Sequence, residues 1–211
     1  MPPDEGSDAR LMVEGADDKN SIIHFMKRQG LDWGRIPGAP WVDDQHGVER
    51  LLDALPTASK TFRRLGIVCD ADLVVSDRWR ALRDRLAGAS VHLPEAPDAQ
   101  GTLVDLPGGR RIGVWLMPDN ARPGALEDFL RWMVDERDAI WNYADEATKE
   151  ARTRGAPLSE RDFLKGRIHS WLAWQSEPGL PFGTAISAGF LKSNAPTTAA
   201  FESWFRSLFF S

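Results

Sequence analysis

The chain has a single cysteine, Cys69. That excludes an internal disulfide and any zinc site built from several thiolates. Histidines are few, His24, His46, His92 and His169, and none shows ligand spacing such as His-x-x-x-His. No apolar run is long enough to span a membrane. No Gly-Lys-Ser/Thr phosphate loop is present, which excludes ATP hydrolysis by that route. A basic excess is missing too: 26 Lys and Arg stand against 31 Asp and Glu, a net charge of −5. A dedicated duplex-DNA binder usually has the opposite balance. A metal-dependent enzyme does not need it, because it concentrates carboxylates at its site. The first eight residues are acidic and polar, unlike a secretory signal, so the cytoplasm is the expected compartment.

What is present suits one globular domain. The 211 residues are 42% hydrophobic and 27% charged, enough for a sizeable core. Leu11 to Val13 read as a short apolar strand, and Gly15 permits a sharp turn. Asp17 or Asp18 can then cap a helix over 19–29, with Ile22, Ile23 and Met26 on one face. Residues 31–45 read as an irregular loop with one short strand, and 48–55 as a helix ended by Pro56. Residues 65–69 are nearly continuous in apolar character, as in a parallel strand covered on both faces. A helix over 77–86 follows, with Trp79, Leu82 and Leu86 inward, and then a short strand at 91–93. Residues 102–106 and 111–116 flank Pro107-Gly108-Gly109 as a hairpin. From about 125 the chain reads as helical: 125–134, then 136–152 with Ile140, Tyr143, Ala144, Ala147 and Ala151 on one stripe. A further helix is opened by Ser159 with Asp162, and the last covers 197–210. The expected organisation is a disordered arm at 1–9 and one α/β domain over 10–211 with a helical C-terminal part.

Two places carry chemistry. Glu14 follows the first strand, and Asp70-Ala71-Asp72 closes a later one. Open α/β sheets place ligands at the C-terminal ends of their strands. Residues i and i+2 of a strand share a side, so Asp70 and Asp72 are expected to point together. Mg²⁺ takes hard oxygen ligands, usually one or two carboxylates plus water and phosphate. Glu14, Asp70 and Asp72 supply such a set if their strands are neighbours, and Asp18 lies one helical turn beyond Glu14. The plainer reading is that Asp17 and Asp18 only cap a helix and that Asp70 and Asp72 only begin a turn.

The Val13-Glu14-Gly15 and Asp70-Ala71-Asp72 pieces resemble the Toprim domain of topoisomerases, DnaG-type primases and the overcoming-lysogenization-defect nucleases. Three further segments, residues 116–120, 126–129 and 168–175, resemble the bacterial DUF3226 group of Toprim-like proteins over nearly the whole chain. The resemblance implies a Toprim-like Rossmannoid sheet, mostly parallel, with helices on both faces. It implies Mg²⁺- or Mn²⁺-dependent phosphodiester hydrolysis of nucleic acid, DNA more than RNA, in anti-phage defence beside a separate ATPase. Extra acids of the kind those nucleases use would be Asp18, Asp119 and Glu127; Asp128 points about 100° from Glu127 on a helix. A late lysine faces the metals in those nucleases, which implies Lys165 first and Lys192 second. The lone Tyr143 sits on an apolar helix stripe and gives no sign of a topoisomerase nucleophile. Primase-type nucleotidyl transfer is disfavoured, because the zinc-binding domain of DnaG-type primases is lacking.

Other residues keep two readings. Arg122 and Asn120 could bind phosphate, or Arg122 could be a loop charge. Arg78, Arg80, Arg83 and Arg85 do not form one stripe and read as a solvated face. Trp171 to Gln175 could stack bases but read as core. The rival function is a non-catalytic metal- or nucleotide-binding module. Its aromatic C-terminal helix would dock a partner or a second copy: Phe201, Phe205, Leu208 and Phe209 share a stripe that faces the core, with Trp204 beside it, and Phe210 falls off the stripe as the contact.

Overall fold

The computed structural model describes residues 6–31, 33 and 36–211. Five strands form one sheet: β1 (Ala9–Val13), β2 (Trp41–Asp44), β3 (Arg64–Asp70), β4 (Thr102–Leu106) and β5 (Arg110–Met117). Their order is β2-β1-β3-β5-β4. The first four in that row run parallel, and β4 closes the edge antiparallel to β5. Helices are α1 (Ala16–Arg28), α2 (Val48–Thr61), α3 (Val75–Ala87), α4 (Leu126–Arg131), α5 (Ala139–Thr153), α6 (Phe163–Ala173), α7 (Phe182–Ala188) and α8 (Ala199–Phe209). The chain is thus α/β with a mostly parallel sheet and a helical C-terminal part, as expected. Of the expected arm, residues 1–5 lie outside the described residues, and Ala9 already belongs to β1.

Strand alternation sorts the core into two layers. Leu11, Val13, Val68, Trp115 and Met117 face a cluster built from α1 and the C-terminal helices. Met12, Leu65, Ile67, Cys69, Ile112 and Val114 face the other, closed by α2 and α3. Helices α1 and α3 therefore leave β1 and β3 on opposite faces. That is the arrangement that opens a crevice at the carboxyl ends of two neighbouring strands.

Several expectations are corrected. Pro56 does not end α2, which continues to Thr61. A proline inside a helix costs about 3 kcal/mol, and burial of Leu51, Leu52, Leu55 and Ala58 against the sheet offsets it. Val91 to Leu93 make no strand; Val91 and Leu93 are buried as irregular chain beside α3. The inward stripe of α5 is Trp141, Ala144 and Thr148, so Ile140 and Tyr143 are exposed. Trp141 wins the inner face because it packs edge-on to Trp171 and is the larger apolar group. The helix expected from Ser159 begins at Phe163, and α7 occupies a stretch for which no helix was expected.

The stripe of α8 faces the core as its spacing predicts. Phe201, Trp204, Phe205, Leu208 and Phe209 are all buried, and Phe210 packs partly on the same cluster. Phe210, the residue expected off that stripe, is only partly exposed. Gly66 and Gly113 make room for the helix. A Cβ on Gly66 would stand 2.6 Å from Leu11 Cδ1, 2.9 Å from Phe209 Cζ and 3.1 Å from Leu208 Cδ2. Gly66→Ala should therefore destabilise the fold by about 1–3 kcal/mol through overpacking. Urea unfolding with an unchanged m-value measures this; an unaltered midpoint would mean that α8 yields freely.

Candidate functional site

The register of β1 on β3 pairs Val13 with Val68. Glu14 therefore emerges beside the end of β3, and the backbone N–H of Asp70 donates to Glu14 Oε1 at 2.9 Å. Gly15 turns the chain into α1, and its N–H donates to Asp18 Oδ2 at 3.0 Å. Asp18 is only 8% exposed, and its other oxygen, Oδ1, is buried with no hydrogen-bond donor among the described residues. Across the gap the N-terminus of α4 closes in. Leu126 N–H donates to Asp70 Oδ1 at 3.0 Å, which brings Glu127 to the same place. That segment is pinned by paired backbone bonds between Asp72 and Gly124, of 3.0 and 2.8 Å. Gly124 adopts φ +145°, and a Cβ there would meet Asp128 Oδ2 at 2.6 Å.

The result is a cleft of about 550 Å³ lined by Glu14, Asp18, Asp70 and Glu127, with Asp44 and His46 on one side and Arg161 and Lys165 on another. Burial pushes Asp70 up to about 9, helped by the negative charges of Asp18, Glu14 and Glu127. Burial and Glu14 push Asp18 up to about 7. Glu14 is raised as well, chiefly by burial, against the pull of its bond from Asp70 N–H. Lys165 Nζ lies 3.2 Å from Glu127 Oε1 and 3.6 Å from Asp17 Oδ2. Burial works against its charge, but these two acids outweigh it and raise its pKa.

The structure thus brings Glu14, Asp18, Asp70, Glu127 and Lys165 to one cleft. The other expected residues lie elsewhere. Asp72 has φ +55° and stands beyond the end of β3, so strand alternation does not carry its side chain beside that of Asp70. Both its oxygens are held by arginines, Oδ2 by Arg78 and Oδ1 by Arg161. Asp119 accepts from Ala121 N–H, Arg122 N–H and Arg122 Nε, so it shapes its own turn. Arg122 completes that turn with its guanidinium 4.9 Å from the centre of the Trp132 ring. Asn120 is buried, accepting Leu116 N–H at 2.7 Å, and positions the loop after β5. Lys192 pairs with Asp135 away from the cleft. Trp171 is core, whereas Trp174 is exposed beside Tyr143. His169 stacks on Phe182.

Sequence reasoning missed Asp44, His46 and Arg161. The first two had a signal: Trp41-Val42-Asp43-Asp44 followed by His46-Gly47 repeats the pattern of a strand, an acid and a glycine. Arg161 had none, since only the fold returns its loop to β3. Among the described residues, no group of three or more His, Cys, Asp or Glu side chains is arranged to hold a metal ion as it stands.

The raised acids set a pH dependence. A carboxyl whose folded pKa exceeds its unfolded value binds more protons when folded. Its cost is absent below the unfolded value near 3.9, grows as pH rises and levels off above the folded value of about 9 for Asp70. In chelator, stability should therefore fall between about pH 4 and 9. Asp70→Asn should flatten this slope and raise the thermal midpoint at pH 8 relative to the wild type. A lower midpoint for the variant across the whole range would make Asp70 a structural group.

No curated protein and no solved structure matches the chain. The family model described as "Protein of unknown function (DUF3226)" matches residues 8–210. That is nearly the whole sequence, and the chain belongs to the DUF3226 family.

Proposed function

We propose that this protein is a Toprim-like, Mg²⁺- or Mn²⁺-dependent hydrolase of nucleic-acid phosphodiesters. The observation that carries the reading is the convergence of Glu14, Asp18, Asp70 and Glu127 at the ends of β1 and β3, with a buried Asp18 oxygen left without a donor. Burying like charges is costly unless a cation offsets them. The donor set fits a hard divalent cation, being all carboxylate oxygen. The pKa values of Glu14, Asp18 and Asp70 are raised first by burial, and those of Asp18 and Asp70 next by neighbouring carboxylates. Glu14, Asp18, Asp70 and Glu127 would hold the ion, and Asp72 is left out of the set because two arginines occupy its oxygens. When bound, such an ion supplies Lewis-acid polarisation of a phosphoryl oxygen and activation of water.

The chain's own groups do the rest. Backbone N–H groups of Asp70, Gly15 and Leu126 fix one oxygen each of Glu14, Asp18 and Asp70. Those carboxylates are thereby oriented before any ligand arrives. Lys165 is half exposed at the cleft and positively charged. It would stand against a phosphate and offset the charge that builds on it during transfer. Nucleic acid, DNA more than RNA, is the proposed substrate, and a separate ATPase in anti-phage defence is the proposed setting. Both rest on analogy with the nucleases the chain resembles.

The test is a cleavage screen on supercoiled plasmid, single-stranded DNA and RNA with Mn²⁺, with thermal shift in the same buffers. Cleavage should need the metal, and Asp70→Asn should abolish it while the protein stays folded. Lys165→Ala should lower the rate about 10²-fold or more and keep the Mn²⁺-induced shift. A Mn²⁺ shift without cleavage of any substrate would leave a metal-binding module and reject the hydrolase.

A further inference from the structure

The second acid of the Asp-x-Asp pair, Asp72, is held by two arginines. Arg78 is the partly buried centre of the arrangement, its side chain 11% exposed. Its Nε donates to the Asp70 carbonyl at 2.9 Å, and its Nη2 to Asp72 Oδ2. The remaining Asp72 oxygen holds Arg161 Nη2 at 2.7 Å. Drawing Asp72 onto a cation would take from Arg78 the carboxylate that partly buried group is paired with, which is unfavourable.

Arg161 differs from Arg78. Its side chain is 74% exposed, and Asp72 is its only hydrogen-bond partner among the described residues. A guanidinium has five N–H donors, so most remain for a ligand. Arg161 lines the acidic cleft and also an adjoining hollow of about 450 Å³ with Leu73, Val74 and Arg78. Leu73 and Val74, 81% and 47% exposed, put adjacent apolar side chains on the loop after β3 at that hollow. Arg78 and Arg161 stand against Asp72 and Asp77 in that hollow, so it is near neutral where the cleft itself is acidic.

We propose that Arg161, positioned by Asp72, binds a second phosphate of the substrate, adjacent to the one cleaved, with Leu73 against the intervening sugar or base. The ligand is then a polynucleotide strand rather than an isolated phosphodiester. This rests on the hydrolase reading above for the identity of the neighbouring site. Arg161 and Asp72 are positioning residues here, not ligands of the ion. An exposed arginine–carboxylate pair contributes little to stability, about 0–1 kcal/mol, so replacing Arg161 leaves a folded protein to test.

The experiment uses the full chain, a fluorescein-labelled single-stranded oligonucleotide and Ca²⁺ in place of Mn²⁺ to hold back cleavage. Anisotropy is followed across a salt series for the wild type, Arg161→Ala, Arg161→Lys and Asp72→Asn. Arg161→Ala should weaken binding about tenfold, as expected for one charged contact, and reduce the salt slope by about 1. Arg161→Lys should restore most of that slope. Asp72→Asn should weaken binding in the same direction and retain the Mn²⁺-induced thermal shift. In Mn²⁺, KM should rise more than kcat falls. Loss of the Mn²⁺ shift in an Asp72→Asn protein whose circular dichroism matches the wild type would make Asp72 a metal ligand and overturn the proposal, as would an unaltered salt slope in Arg161→Ala. A wild type that binds the strand through Arg161 but never cleaves would sink the hydrolase alone. A wild type that binds no strand would overturn the clamp.

Discussion

Carboxylates are crowded where two parallel strands end, and the surrounding structure offsets their repulsion. The β1–β3 register places Glu14 against Asp70, and α1 and α4 add Asp18 and Glu127. Each of the first three carboxylates receives a backbone N–H, two of these from residues at the starts of α1 and α4. Helix N-termini carry partial positive charge, so these starts are suited to lie beside anions. Lys165 on α6 adds a full positive charge. The helical C-terminal part thus does more than cover a sheet face: it brings α4 and α6 to the strand ends and closes the cleft. The stitching between Asp72 and Gly124 is what holds α4 at that distance.

The legible part of the site was the part written in short-range pattern. Glu14 and Asp70 follow apolar strands directly, so their placement needed only the assumption that the strands are neighbours. Asp18 was legible because one helical turn returns its side chain to the turn before the helix. Asp72 misled because the i, i+2 rule holds inside a strand, and the strand ends at Asp70. A left-handed residue reverses the path, and its partners are arginines six residues on, in α3, and 89 residues on, just before α6. Asp119 and Asn120 show the same limit. Their spacing from β5 is right for a strand-end site, yet local turn bonds consume them.

At the level of the fold, β1, β3 and the β4–β5 hairpin were readable from apolar runs and turn residues. Errors arose where tertiary burial overrode a local rule. Pro56 remains inside α2 because four neighbours are buried. The α5 stripe rotated by one residue because Trp141 outweighs Ile140 as a group to bury. Trp171 and Trp174, three residues apart at the end of α6, divide between interior and surface. Composition alone cannot make that division, since it depends on where α5 lies.

The seat of α8 has a consequence for how the chain reaches its native state. The face of β3 and β5 opened by Gly66 and Gly113 is filled by Trp204, Leu208 and Phe209, residues more than ninety positions later. Contacts of such separation form late, because a long loop must close before they are rewarded. While the ribosome is still extending the chain, the central strands have one apolar face without its cover. Exposed apolar strands of that kind invite association between incomplete chains. The order of synthesis therefore leaves the middle of the sheet dependent on the final helix, and a nascent chain halted before it would present that uncovered face to its neighbours.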